Sequence, residues 1–328
     1  MNIKVVLMHG RHEAAFPTPG AELVFFNAPF NTERLARIEQ VHLWSPPGDK
    51  LEALPEILKE MRGLKTLSIG PGSIAPSIMD GLEEGILPES IEALSIHLGT
   101  GTLAWPGVVL PNLRTLYVDV PVRFDASSFP ALKVLSLYPD KSLKNLRQAL
   151  ALPLEELNIL NVPVDGEIFN ILSASAGGLE RLGLLGGTKL KSLDGIETLA
   201  ALTSVWLKNL SSLTDIRALV GLEQLKKLDI QYCKKIANIE VINDLSALRE
   251  LTLVGCGKVG LEKILAKIES LQKRTIGATT WPHSMCGTGL LSQVDPCRYA
   301  PSGRLCEAVP APRGPRKPGV RGTRSSRR

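Results

Sequence analysis

Cysteine is absent from the first 232 residues of this 328-residue chain, and the five that follow, at 233, 256, 286, 297 and 306, are odd in number. A small secreted scaffold held by disulfides needs paired cysteines spread through its fold, so that class is excluded. Aromatic residues make up only 5% against 44% apolar overall, which leaves Leu, Ile and Val to build the core. Charges and prolines break every apolar stretch well short of the roughly 18 residues that a membrane-spanning helix needs. The opening apolar run, residues 3 to 8, stops before His9, Arg11, His12 and Glu13, too short for a signal-peptide core, and a cytoplasmic location is expected.

Catalytic signatures are missing as well. No GxSxG, HExxH or CxxC occurs, and the five histidines at 9, 12, 42, 97 and 283 form no base-and-nucleophile set. Glycines cluster at 70–72, 99–101 and 186–187, yet none fits GxxxxGK[ST] or GxGxxG, and turns leaving strands favour glycine for its permissive backbone. His283, Cys286, Cys297 and Cys306 lack the close paired spacings of a zinc module. No metal, no cofactor and no enzymatic activity are expected. Positive charge is concentrated at one end: residues 277–328 hold nine Arg or Lys against Asp295 and Glu307, a net +7, which leaves the first 276 residues at −2. Nucleic-acid association through bulk charge therefore concerns that segment alone.

What is abundant is a repeated apolar triplet, LxxLxL. It starts at Ile38, Leu64, Ile91, Leu113, Leu132, Leu154, Leu179, Leu202, Leu225 and Leu248, with steps of 26, 27, 22, 19, 22, 25, 23, 23 and 23 residues. In each copy the two residues of the LxL step face one side of a strand and the residue between them faces the other. Between the later triplets apolar residues recur every third position, as in Leu190, Leu193, Ile196 and Leu199, a period that suits 3₁₀ or short helical turns. One repeat cannot bury its leucines alone, so neighbours must stack into a continuous core.

These residues resemble the leucine-rich-repeat family over about 38–276, and the 23-residue late repeats with Cys233 and Cys256 in one column resemble its phosphatase-regulator type. The resemblance implies an α/β solenoid: a curved parallel sheet with 3₁₀ or short helical segments on the convex side. The same column holds Pro121, Asp140, Val162, Gly187 and Leu210 elsewhere, so the family's buried hydrogen-bonding ladder is expected to be mostly absent. Residues 1–37, with apolar runs at 3–8 and 23–26, are expected to supply capping strands. The segment 261–270 is expected to be the most regular helix, with Leu261, Ile264, Leu265 and Ile268 on one face. Residues 277–328, rich in Pro, Gly, Ser and Arg, are expected to form a disordered tail. A basic arm and a shift of reading frame both fit that composition.

Function then falls to the exposed face of the sheet. The residue between the strand leucines reads His42, Ser68, Ser95, Tyr117, Ser136, Asn158, Gly183, Trp206, Asp229 and Thr252, and the flanking outward columns add Trp44, His97, Asp119, Tyr138, Arg181, Lys208, Lys227 and Gln231. Aromatics flanked by basic side chains are the composition of a protein-binding hot spot. The expected partner-binding residues are Tyr117, Asp119, Tyr138, Asn158, Arg181, Trp206, Lys208, Lys227 and Asp229. Side chains packing on one another across that face would give the same composition. The expected role is a non-catalytic module that binds a protein partner, as adaptor, regulator or inhibitor. The alternatives are nucleic-acid association through the tail, or service as a substrate receptor or regulatory subunit.

Overall fold

The computed structural model describes residues 3–8, 21–25, 31–46, 48–162, 167–174 and 177–279. The chain divides into Met1–Asp295 and Pro296–Arg328, and every described residue belongs to the first unit. Beyond Thr279 the expected tail and its Cys/His segment lie outside the described residues.

Each LxxLxL triplet forms the strand predicted for it. In chain order the strands are Ile3–Met8 (β1), Glu22–Phe25 (β2), Ile38–Trp44 (β3), Thr66–Ile69 (β4), Ala93–Ile96 (β5), Leu103–Ala104 (β6) and Thr115–Arg123 (β7). They continue with Val134–Tyr138 (β8), Glu156–Leu160 (β9), Arg181–Gly187 (β10), Ser204–Leu210 (β11), Lys227–Gln231 (β12), Glu250–Gly257 (β13) and Lys273–Thr279 (β14). All pairings are parallel, and the strands follow one another from β14 back to β3 except that short β6 pairs only with the end of β7. At the N-terminal end β1 lies against β3 and β2 lies outside β1, so both expected capping strands join the same sheet. Parallel neighbours require a crossover, and from β3 to β14 each crossover contains a 3₁₀ turn or a short helix except that from β5 to β7, which runs through turns and β6. The α-helices are Thr32–Leu35 (α1), Lys144–Ala149 (α2), Glu167–Ser173 (α3) and Leu265–Ser270 (α4). This is the leucine-rich-repeat solenoid.

All thirty residues of the ten triplets are buried, which fixes the register. A slip of one residue would have turned every leucine to solvent. In the late repeats the every-third-residue series is equally buried, from Leu190, Leu193 and Ile196 through Leu213, Ile216 and Leu219 to Ile236, Ile239 and Ile242. Their 3₁₀ turns, Ile196–Thr198, Arg217–Gly221 and Ile239–Asp244, recur once per repeat.

The expected helix over 261–270 is divided. Residues Leu261–Ile264 form a 3₁₀ turn and only Leu265–Ser270 are α-helical, with Leu265 half-buried rather than on the core face. The chain enters through Gly260 in the left-handed region (φ 72°), and Lys263 N–H donates to Gly260 O at 3.0 Å, an i→i+3 closure that tightens the first turn. Among the described residues the longest α-helix is instead α3, seven residues in the 25-residue repeat. The strand of the eleventh repeat, β14, carries Arg274 at a leucine position. Its guanidinium donates to the carbonyls of Ile268 (3.3 Å), which also accepts the Leu271 N–H, and Glu269 (3.2 Å) at the end of α4.

Candidate partner-binding face

Lateral register sets three rows of side chains across the face opposite the core. His42, Ser68, Ser95, Tyr117, Ser136, Asn158, Gly183, Trp206, Asp229 and Thr252 are successive Cα partners from β3 to β13. From β3 to β8 this face holds almost no charge. The His97 and Tyr117 rings meet at 4.8 Å, and Asp119 accepts the backbone N–H of Leu98 (2.8 Å) and of Gly99 (3.2 Å) with its carboxylate. Burial holds the His42 and His97 imidazoles below the usual histidine range, with His97 adding to the effect on His42 and Asp119 opposing it on His97. The Tyr117 phenol is pushed up by burial and by the Asp119 charge. Tyr138 Oη accepts from Asn161 Nδ2 at 2.6 Å.

From β9 onward the same face is charged. Asn158, buried, donates to Glu156 (2.9 Å) and to Ser136 Oγ (3.3 Å), and its amide covers Gly183, where an added Cβ would sit 2.1 Å from Asn158 Oδ1. Arg181 donates through Nε to Glu156 at 2.8 Å and lies 3.5 Å from Glu180 and 4.0 Å from Glu155. Lys208 Nζ stands 5.5 Å from the centroid of the Trp206 ring, within cation–π reach. Burial pushes the Lys208 ammonium down and the Asp229 carboxyl up; Asp229 opposes the first shift, and the Gln231 hydrogen bond, Lys227 and Lys208 oppose the second. Desolvation therefore outweighs the mutual attraction of these charges on this recessed part of the face.

The structure places all nine expected binding residues on the outward side, but it alters the meaning of several. Lys208, expected to be exposed, is 5% exposed, because its stem lies down beside Trp206 and not out into solvent. Asn158 is buried and bridges its neighbours. Trp44, counted among the outward aromatics, is buried in a small apolar cluster with Val6, against which Ala21, Leu23 and Phe25 pack. Asp119 and Arg181 are engaged by backbone amides and by carboxylates. Tyr117, Tyr138, Trp206 and Asp229 remain partly exposed and Lys227 fully so. Two ring nitrogens on this face, His42 Nε2 and Trp206 Nε1, are buried with no hydrogen-bond partner. The column pattern put His42 and His97 on this face from the sequence, but their mutual influence, 55 positions apart, came only from the structure.

The two cysteines of the solenoid are fully buried, as packing residues. The Cys233 thiol contacts the carbonyl oxygens of Gln231 (3.4 Å) and Leu207 (3.8 Å), and Cys256 those of Ile230 (3.4 Å) and Val254 (3.5 Å), so the expected gap in the ladder has two weak sulfur rungs. Burial pushes the Cys233 thiol up to about 12 and raises Cys256 also, far from a reactive thiolate. Among the described residues no group of three or more His, Cys, Asp or Glu is placed to hold a metal, and no helix is long and apolar enough to cross a membrane. A shallow groove of about 350 Å³ opens among Leu150, Leu152, Pro153, Leu154 and Leu179, with Lys133 and Glu155 at its border. Its lining brings no convergent polar groups.

No protein-family model and no curated protein matches the chain. Among solved structures it is similar to an internalin, inlF, from Listeria monocytogenes, at 17% identity over 81% of this chain and 83% of that one, with a TM-score of 0.46. It is also similar to internalin C2 of the same organism, at 15% identity over 67% and 82%, with a TM-score of 0.34.

Proposed function

We propose that this chain is a non-catalytic protein-binding module that holds a partner on the outward, concave face of its parallel sheet. The shared register of the LxxLxL triplets from β3 to β13 carries this reading, because it aligns ten strands' side chains into rows and makes an extended docking surface instead of a pocket. Ten strands at about 4.8 Å spacing give a surface on the order of 45 Å long. Trp206 is the proposed anchor. It is a large ring half-embedded in that surface, with Nε1 lacking an acceptor and a cation over its face, the features that concentrate binding energy in protein interfaces. Tyr117, Tyr138, Lys227 and Asp229 surround it as contact residues, while Asp119, Asn158, Arg181 and Lys208 hold the surface in shape. A cytoplasmic location and the phosphatase-regulator likeness of the 23-residue repeats belong to this proposal.

The test is affinity capture with the intact chain beside Trp206→Ala and Tyr117→Ala variants of unchanged melting temperature. A partner retained by the intact chain and weakened by roughly 2 kcal/mol or more in Trp206→Ala is the expected result. A partner bound equally by all three chains would place the interface elsewhere.

A further inference from the structure

Six cations on this solenoid, Arg34, Lys133, Arg147, Arg181, Arg217 and Lys263, lie within 4.0 Å of a carboxylate. Lys226, Lys227, Arg249 and Lys273 do not. All four are exposed, and none makes an ion pair among the described residues. They are also neighbours by construction. Lys227 opens β12 and its lateral partner Glu250 opens β13, which in turn pairs Lys273 at the start of β14. Lys226 and Arg249 stack one step earlier, with Arg249 N–H donating to Lys226 O at 2.8 Å. Strand spacing of about 4.8 Å puts Lys227 and Lys273 roughly 10 Å apart, so their fields add within a Debye length.

The carboxylates near this strip are Glu250, between Lys227 and Lys273, Asp229, whose charge Lys227 feels, and Glu223, three residues before Lys226; they leave the four cations in excess by one. At the equivalent edge of β9 and β10 the signs alternate and pair, as Glu155, Glu156 and Glu180 do around Arg181. The last strands depart from that arrangement. Residues 203–276 carry twelve Lys or Arg against eight Asp or Glu, a net +4, and the following segment adds +7. By composition residues 277–328 add no acidic excess, so the complement is sought in another molecule.

We propose that the N-terminal ends of β12, β13 and β14 form a docking strip for an acidic segment of a protein partner. It rests on the reading of the sheet face as a protein-binding surface and deepens it, since the strip borders Trp206 through β11 and β12. An extended segment crossing the strands meets Lys227 and Lys273 with carboxylates about three residues apart, because three extended residues span roughly 10 Å. Charge complementarity of this kind speeds encounter and selects the partner.

The probe is a fluorescein-labelled peptide of about twelve residues with Glu at every third position among Gly and Ser, titrated with the full chain at low salt and followed by anisotropy. Binding is expected, with the dissociation constant rising roughly tenfold or more in a Lys227→Glu, Lys273→Glu variant and steeply with salt. A Lys234→Glu, Lys235→Glu variant makes the same charge change at the opposite end of β12, and an Arg313→Glu, Arg316→Glu variant makes it in the C-terminal segment. Both are expected to bind within about twofold of the parent. Equal loss in either control, no binding of the peptide, or tighter binding of an equally charged single-stranded oligonucleotide at the strip would each overturn the proposal. Trp206→Ala separates the two readings: loss of the captured partner in that variant while the peptide ignores the strip substitutions removes the strip and leaves the docking face.

Discussion

The first six repeats and the last four reach the same sheet by different means. From Leu179 onward each repeat has 23 residues, one 3₁₀ turn and a core of Leu, Ile, Val and Cys. A left-handed residue also recurs two positions beyond the last apolar residue of each late triplet, at Asn161, Gly186, Asn209, Tyr232 and Gly255, with φ between 55° and 80°. The repeats before Leu154 have no such column, and the steps over residues 38–178 run from 19 to 27. Their core takes Trp105, Phe124 and Phe129 in ring contact at 4.8 and 5.8 Å, with Phe169 inside α3. Their turns need individual braces, as where Asp140 accepts from Ser142, Lys144 and Asn145, and buried Asn145 donates to Tyr138 O at 3.0 Å. Equal repeat length lets one backbone solution be reused. Unequal length demands larger side chains to fill the space and side-chain hydrogen bonds to shape the loops.

Core truncation breaks this comparison most severely. Phe129→Ala should destabilise by about 3–5 kcal/mol, since one ring fills a gap touching Trp105 and Phe124, whereas Leu207→Ala in a uniform repeat should cost about 2–5 kcal/mol. Urea denaturation of both variants measures this. If Phe129→Ala proves the milder, aromatic filling is not what holds the irregular half. Next, Cys233→Ser should cost about 1–3 kcal/mol and exceed Cys233→Ala, because it buries a hydroxyl where the thiol makes only weak contacts with carbonyls. A serine variant more stable than the alanine one would mean the column accepts a true hydrogen-bond ladder.

Acid should separate the halves in a graded way. His42 and His97 titrate below the ordinary value near 6.5 in the folded state, so between that value and their folded values the unfolded chain binds more protons. Their contribution is fully present above about pH 6.5 and is lost as pH falls through the folded values. Hydrogen exchange at mildly acidic pH should show β3–β7 opening more readily than at neutral pH, and His42→Gln should reduce that difference. The same pH response in both proteins would remove His42 from the account. Smaller still, Lys208→Ala should cost about 1 kcal/mol through lost packing on Trp206 while Lys208→Met costs less, and exposed Lys227→Ala should stay within about 0.5 kcal/mol. Equal melting temperatures for all three would return Lys208 to the solvent-exposed surface.

The ten strands, their direction and their buried residues were legible because a two-residue alternation and a three-residue turn period are local signals, read from neighbours along the chain. Arg274 in a leucine position marked the weakening of the pattern in the eleventh repeat, and the guanidinium over the end of α4 gives its use. The division of the 261–270 helix was not legible, since the left-handed Gly260 that tightens its first turn has no apolar signature. The candidate face was legible as a set of positions and not as a set of available side chains.

Sequence alone determined which side of each strand faces the core, and hence that His42, Tyr117, Trp206 and Asp229 share one face. Tertiary structure alone decided that Lys208 lies down against Trp206, that Asn158 closes over Gly183, that Trp44 is covered beside Val6, and that exposed Lys227 and Lys273 flank Glu250 on neighbouring strands. The physical reason is distance along the chain. Facing is set within one strand, but exposure and charge pairing are set by residues one or more repeats away, where rotamer, spacing and desolvation act between neighbours that no local period relates.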